Sequence, residues 1–303
     1  MSHPGVDAIA GYLAESGLGS KSIAEQREAM AEMAGSSPPM EGVTVEPITL
    51  GGRPAERLTP DGGATDAAVL YLHGGGYCIG SLDSHRGLGS RLALATGCTV
   101  AMLDYRLAPE HPFPAAVDDA ADAYRDLLSL GIRPERMAIA GDSAGGGLTV
   151  ATLLALRGSG EPLPAAAVCL SPWVDLTQAS TAYRNLADVD PMVSKSGLDL
   201  MSGAYLDGAD PRTELASPLF ATDFGGLPPV CIEVGEYEVL IDDATGLADR
   251  MRESGVNVTL KVWPELIHVF QAFPSALIPE ADQSVDAVGA FIAGHLGVAS
   301  TTV

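Results

Sequence analysis

The segment Gly141-Asp142-Ser143-Ala144-Gly145 constrains the fold of this chain more than any other feature. It follows a short apolar run at residues 137–140 and precedes a helix-like stretch at residues 147–156. A Gly-x-Ser-x-Gly motif between a strand and a helix predicts a serine on a sharp turn, with its hydroxyl group exposed above a sheet. The chain contains 35 glycines, so an ordinary turn is the alternative interpretation and the surrounding sequence must decide.

A second glycine motif, His73-Gly74-Gly75-Gly76, supports the catalytic interpretation. It directly follows residues 67–72, whose apolar side chains predict a buried strand. Glycines at such a position let backbone N–H groups approach a substrate closely, and the motif is typical of a loop that stabilises the oxyanion of acyl transfer. One preorganised donor of this kind contributes about 3 kcal/mol to transition-state stabilisation.

Together the two motifs resemble those of the bacterial hormone-sensitive-lipase branch (family IV) of the α/β-hydrolases, and the resemblance covers most of the chain. It implies an α/β fold with a mostly parallel central sheet flanked by helices, and a helical cap over the active site. The resemblance also implies that the oxyanion hole is formed by the backbone N–H groups of Gly75, Gly76 and Ala144. His73 is similar to the family's oxyanion-loop histidine.

Strand-like and helix-like segments alternate along the chain, which predicts a parallel sheet. Two runs separated by Gly51-Gly52 predict a hairpin at the edge of that sheet. Three prolines predict a rigid turn at residues 104–115, whose charged members Asp104, Arg106 and Glu110 are expected to form a local network. Strands are predicted at 43–50, 54–58, 67–72, 99–103, 137–140, 165–170, 230–234 and 256–262, and helices at 84–96, 115–130 and 280–296.

The sequence divides into four consecutive parts. Residues 1–40 are predicted N-terminal cap helices, 41–176 the first part of the hydrolase core, 177–229 a cap insertion and 230–303 the second part of the core. The cap role of residues 1–40 is implied by the resemblance, and a loosely docked arm is the alternative. The insertion is far longer than a crossover requires. Its apolar side chains line the site or form the core of the cap: Met192, Leu198, Leu200, Met201, Tyr205 and Leu206.

The composition of the chain excludes some classes of binding partner and predicts its cellular compartment. The formal charge of −22 argues against nucleic acid and anionic membranes as partners. The N-terminal residues show no secretory signal pattern, and no run of ~18 apolar residues occurs, so we expect a cytoplasmic protein. The 4 cysteines are isolated, which predicts buried free thiols. No Cys or His spacing indicates a metal site, and we expect neither a metal nor a cofactor.

A nucleophilic serine needs a base and a carboxylate that orients the base, and the chain order in this fold is serine, acid, histidine. His268 follows the last predicted strand in a His-x-Phe setting similar to the family's catalytic histidine, so it is the predicted base for Ser143. The family usually shows Asp-Pro-Leu-x-Asp after the preceding strand, whereas this chain reads Glu238-Val239-Leu240-Ile241-Asp242. We predict Glu238 as the acid, with Asp242 and Asp243 as alternatives, and interpret Asp242 as a helix N-cap.

These residues predict a serine carboxylesterase that hydrolyses short-chain acyl esters through a Ser143–His268–Glu238 triad and an acyl-enzyme intermediate. A lactone hydrolase or a small-molecule deacetylase would use the same residues. The non-enzyme alternative is a small-molecule receptor on the same fold. Because the serine, the histidine and a candidate acid are all present, the enzyme is favoured. The expected partner is a small-molecule ester, and the sequence allows a homodimer.

Overall fold

Eight strands form one sheet in the computed structural model, which describes residues 3–17, 21–34 and 39–298. They are β1 (Val43–Leu50), β2 (Arg53–Pro60), β3 (Ala64–Leu72), β4 (Cys98–Leu103), β5 (Met137–Asp142), β6 (Ala166–Leu170), β7 (Val230–Gly235) and β8 (Val258–Trp263). Their order across the sheet is β1-β2-β4-β3-β5-β6-β7-β8. The β1–β2 and β2–β4 pairs are antiparallel, and all other neighbours are parallel. The predicted mostly parallel sheet and the β1–β2 hairpin are therefore confirmed.

The helices of the described residues lie between and beside these strands. The three helices predicted from the sequence are confirmed, each with bounds within two residues of the expected ones. The α-helices are α1 (Pro4–Ser16), α2 (Ile23–Ala34), α3 (Leu82–Thr96), α4 (Ala115–Ser129), α5 (Ala144–Gly158), α6 (Ala182–Asn185), α7 (Lys195–Leu206), α8 (Ile241–Glu253) and α9 (Glu280–Leu296).

The sheet is buried on both faces. Successive side chains of a strand point to opposite faces, and in β3 Leu70 and Leu72 pack with α4, α5 and α8, whereas Val69 and Tyr71 pack with α3 and α9. All six residues of β5 are buried. Burying a side chain such as Ile139 stabilises the fold by about 1.5–3 kcal/mol. The catalytic motifs therefore follow strands that are fixed by packing on both sides.

Helix α1 packs beside the segment that follows β8. Val6 and Ile9 are buried against Trp263 and Ile267. Tyr12, which the apolar pattern of the sequence places on one face with Ile9 and Leu13, is 55% exposed. We expect the segment Gly35–Pro39 to close the two N-terminal helices, and its residues 35–38 lie outside the described residues.

The proline-rich loop after β4 is held by charged side chains from two helices. Arg27 on α2 donates to the carbonyl oxygen of Cys78 at 2.7 Å and forms a bidentate ion pair with Glu110 at 2.8 Å. Arg106 pairs with Asp119 on α4 at 2.7 Å. The predicted network among the loop's own charged residues is therefore wrong, since Glu110 pairs with α2, Arg106 pairs with α4 and Asp104 lies near Arg53 on β2.

The segment at residues 177–229 contains α6, α7 and a 3-10 turn at Pro218–Phe220. Leu198 and Tyr205 on α7 are buried in the main core, which favours the structural interpretation of these two side chains. Met192 and Leu200 are exposed at 36% and 46%. The apolar positions of this segment therefore do not form a single lining.

The cysteines are buried and free, as predicted: Cys78, Cys98, Cys169 and Cys231. Burial raises the pKa of the Cys98 thiol to about 11 and those of Cys78 and Cys231 to about 12. These thiols are therefore protonated at neutral pH and are poor nucleophiles.

Candidate active site

Ser143 occupies a sharp turn between β5 and α5. Its backbone has φ 53° and ψ −120°, an unusual conformation for a residue with a side chain. A Cβ atom on Gly141 would overlap the carbonyl group of Gly145, and one on Gly145 would overlap the carbonyl oxygen of Leu72. Glycine is thus required on both sides of the turn. The turn is fixed by the Ser143 N–H, which donates to the Leu170 carbonyl at 2.8 Å.

The glycine loop after β3 lies against the same turn. Gly75 and Gly76 have φ values of 116° and 59°, which favour glycine. A Cβ atom on Gly75 would overlap the carbonyl group of Ile79, and one on Gly76 would overlap the sulfur of Met201 on α7. In the described part of the chain, the N–H groups of Gly75, Gly76 and Ala144 donate to no protein acceptor. They are therefore free to bind a substrate oxygen.

A buried carboxylate, Asp142, connects the loop to the turn. Its Oδ1 accepts from the Tyr71 hydroxyl at 2.7 Å and from the Gly74 N–H at 3.1 Å. His85 Nε2 lies 3.4 Å from Oδ2. Burial alone would raise the pKa of Asp142, but the charge and hydrogen bond of His85 outweigh it and lower that pKa. An ionised Asp142 thus fixes the glycine loop beside the serine.

Glu238 and His268 face each other after β7 and β8. His268 Nδ1 lies 3.5 Å from Glu238 Oε2, an ion-pair distance slightly longer than a normal hydrogen bond. Catalytic hydrogen bonds are often long without substrate and tighten in the reacting complex. Both side chains are buried, and the carboxylate of Glu238 is inaccessible to solvent. The arrangement can hold the imidazole in one orientation.

Ser171, directly after β6, joins these two groups. Its hydroxyl donates to Glu238 Oε2 at 2.8 Å and accepts from the Val269 N–H at 3.1 Å. The residue has φ 46°, so its backbone is strained. Because Leu170, the preceding residue, binds the N–H of Ser143, one stretch of chain contacts the segments of all three predicted triad residues.

Asp242 and Asp243, the alternative acids, point elsewhere. Helix α8 begins at Ile241 without a side-chain cap, so the interpretation of Asp242 as an N-cap is wrong. Its Oδ2 instead accepts from the Ala182 N–H at 3.0 Å. Asp243 accepts from the backbone of Val174 and Asp175 and from Tyr183, and burial raises its pKa to about 8. Of the three carboxylates, the geometry brings Glu238 to His268.

The electrostatic surroundings of His268 make it more basic than a free imidazole. Burial by itself lowers the pKa of His268, but the adjacent carboxylate of Glu238, with smaller contributions from the charges of Asp190 and Asp142, outweighs burial and raises it. Burial raises the pKa of Glu238, while His268 and Ser171 act in the opposite direction.

We expect the kcat/KM of ester hydrolysis to rise with pH through a midpoint above ~6.5, the ordinary value for imidazole. His268 must be neutral to accept a proton, and its raised pKa moves the loss of activity toward neutral pH. Initial rates between pH 5 and pH 9 measure this midpoint. A flat profile, or a midpoint below ~6.5, would contradict a histidine base in this environment.

Several residues of the site were not identified from the sequence. Ser171 has the same signal as the serine of the elbow, a polar residue directly after a buried strand, and this signal could have found it. Tyr71 and His85 lie inside an apolar strand and a helix, where local patterns indicate only structure. Among the described residues, no helix is long and apolar enough to cross a bilayer, and no cluster of three metal-ligating side chains occurs.

Several known proteins are similar to this chain in sequence and in fold. Residues 69–272 match a family described as alpha/beta hydrolase fold. An acetyl-hydrolase from Streptomyces hygroscopicus is 46% identical over 248 residues, which cover 81% of each chain. The crystal structure of an esterase from the bacterial hormone-sensitive lipase family has a TM-score of 0.93 and 43% identity, covering 98% of this chain and 100% of that one.

A third comparison is the crystal structure of EstE5 soaked with p-nitrophenyl butyrate. It has a TM-score of 0.90 and 39% identity, and the match covers 97% of this chain and 99% of that one. The chain therefore belongs to the α/β-hydrolases, in the bacterial hormone-sensitive-lipase family. Within that family it is a carboxylic ester hydrolase.

Proposed function

We propose that this esterase hydrolyses short-chain acyl esters with Ser143 as nucleophile, His268 as base and Glu238 as the acid that orients the base. The proposal rests mainly on Ser171, whose hydroxyl binds Glu238 while the residue before it, Leu170, binds the N–H of Ser143. Hydrogen bonds at the carboxyl end of β6 thus connect the segments that contain the proposed nucleophile, the proposed acid and the proposed base.

In this mechanism His268 removes the proton of the Ser143 hydroxyl as its oxygen attacks the ester carbonyl carbon. The carbonyl oxygen becomes an oxyanion, which the N–H groups of Gly75, Gly76 and Ala144 stabilise. His268 then gives its proton to the leaving alcohol, and an acyl-enzyme remains on Ser143. Water, activated by the same imidazole, hydrolyses the acyl-enzyme and restores the serine.

Two observations support a short acyl chain. The sulfur of Met201 lies directly above Gly76, so α7 limits the space beside the proposed oxyanion hole. The Streptomyces hygroscopicus relative is named an acetyl-hydrolase, and the EstE5 crystal was soaked with a butyrate ester. A small-molecule deacetylase would use the same residues, and acetate esters are therefore the first substrates to test.

We also propose that residues 1–40 and 177–229 together form the cap, with residues 41–176 and 230–303 as the core. Helix α1 packs beside Ile267, next to His268. Helix α2 is attached through Arg27 to the carbonyl of Cys78, two residues after Gly76. Helix α7 covers Gly76 from the other segment. These contacts favour a cap over a loosely docked arm.

We expect kcat/KM for p-nitrophenyl esters to be highest for acetate and butyrate and to fall for octanoate and longer chains. In Met201→Ala the space above Gly76 is larger, and the octanoate-to-acetate ratio of kcat/KM should rise by about 10-fold. Leu200→Ala, at an exposed neighbouring position on α7, is the control and should keep the wild-type ratio. Equal rates for acetate and dodecanoate in the wild type would contradict the short-chain proposal.

A further inference from the structure

We propose that Asp190, in the segment at residues 177–229, is a positioning residue of the triad. Its carboxylate fixes the loop that carries Glu238 relative to the cap. The inference rests on the proposed function, because it assigns Asp190 a role in orienting the proposed acid and base. Asp190 is not part of the core that supplies Ser143, Glu238 and His268, so it links two parts of the molecule.

The hydrogen bonds of Asp190 fix its carboxylate at the acid loop. Its Oδ2 accepts from the Val239 N–H at 2.9 Å, and this N–H belongs to the peptide that directly follows Glu238. Its Oδ1 accepts from the N–H groups of Met192 and Val193, both at 2.9 Å. Asp190 is 8% exposed. A buried carboxylate with three backbone donors is held in one orientation, and it fixes the peptide that it binds.

Asp190 is also one of three carboxylates whose charges act on the imidazole of His268. The charged groups that act on His268 are Glu238 from the loop after β7, Asp190 from the cap segment and Asp142 from the end of β5. The charge of Asp190 contributes to raising the pKa of His268, and it also raises the pKa of Glu238. Asp190 therefore acts on the pair by its charge as well as by its hydrogen bond.

The same segment connects the acid loop to the oxyanion loop. Helix α7 begins five residues after Asp190, at Lys195, and carries Met201, which packs on Gly76. A movement of the cap segment at Asp190 would therefore displace both the peptide after Glu238 and the glycine loop. A misplacement of about 1 Å in a catalytic group can reduce the rate 100-fold, so this connection is relevant to turnover.

The test is Asp190→Asn. The amide retains one oxygen for the N–H groups of Met192 and Val193, but its NH₂ group cannot accept from Val239 and the negative charge is lost. We expect kcat to fall on the order of 10- to 100-fold with little change in KM. The midpoint of the kcat/KM profile should move to lower pH, because His268 loses a stabilising charge.

The matched control is Asp175→Asn. Asp175 is also buried, at 4% exposed, and accepts from the Thr177 N–H and hydroxyl and from the Ala179 N–H, but it is not among the charges that act on His268. Its variant should keep the wild-type pH midpoint even if it melts at a lower temperature. A midpoint in Asp190→Asn equal to the wild type, or an equal shift in Asp175→Asn, would overturn the inference.

Two further variants separate the possible failures. If Asp190→Asn does not fold, Asp190→Ser removes the charge while its hydroxyl can accept a local N–H, and the same downward shift of the midpoint is required. Ser143→Ala tests the proposed function itself. If Ser143→Ala is inactive and Asp190→Asn resembles the wild type, only the role of Asp190 is wrong, whereas an active Ser143→Ala refutes the mechanism on which the inference rests.

Discussion

Ser143→Ala is expected to reduce kcat for p-nitrophenyl acetate by about a millionfold, because the attacking oxygen is removed. A rate above that in water should remain, since the oxyanion donors and substrate binding are intact. The fold should be unaffected: the turn depends on Gly141, Gly145 and the backbone of residue 143, and alanine can adopt φ 53° at a cost similar to that of serine. Kinetics and melting temperature, measured on the same preparation, separate the two effects.

Ser159→Ala is the matched control for this variant. Ser159 is an exposed serine at the opposite end of α5. A fluorophosphonate probe should label the wild type and Ser159→Ala and leave Ser143→Ala unlabelled, as measured by intact-protein mass spectrometry. Full activity or labelling of Ser143→Ala would refute the proposed nucleophile.

Glu238→Gln is expected to reduce kcat by about 10⁴-fold while the protein remains folded. The neutral amide no longer fixes the tautomer of His268 or stabilises the imidazolium that forms during attack. Its oxygen can still accept from Ser171, so packing around the side chain should be retained. The melting temperature therefore should change little, and kcat/KM should lose most of its value at every pH.

Asp242→Asn is the control that distinguishes the acid from its nearest alternative. Asp242 binds the Ala182 N–H and lies 3.3 Å from the Thr181 hydroxyl, so its loss affects the attachment of α6 to α8. A hydrogen bond contributes about 1 kcal/mol, which corresponds to a shift of about 2 °C in melting temperature with kcat retained. If instead Asp242→Asn alone abolishes turnover in a folded protein, the assignment of Glu238 is wrong.

The sequence by itself determined the architecture of the sheet and the two glycine motifs. Each depends on short-range patterns: buried strands read as continuous apolar runs, and the strand-turn-helix context of Ser143 lies within about 20 residues. The glycines of the elbow belong to this local motif, although the close approach of Gly141 and Gly145 to the backbone of Leu72 in β3 is a tertiary contact. The strands and the two glycine motifs can therefore be predicted from the sequence.

Only the tertiary structure decided which carboxylates face which groups. Glu238 and Asp242 are four residues apart, and in the sequence Glu238 is favoured over Asp242 only by its place in the family pattern. In the structure Glu238 lies beside His268, whereas Asp242 binds the Ala182 N–H. The ion pair of Arg106 likewise could not be predicted from the loop sequence, because its partner Asp119 lies on the next helix, α4.

The hydrogen bonds of Ser171 with Glu238 and Val269, and of Asp190 with Val239, join residues 49 or more positions apart in the chain. Hydrogen bonds of this kind depend on how the strands and the cap segment pack against each other. No periodicity or motif in the sequence predicts that packing. The proposed nucleophile was therefore predicted from local sequence, whereas the orientation and basicity of its proposed partners depend on packing.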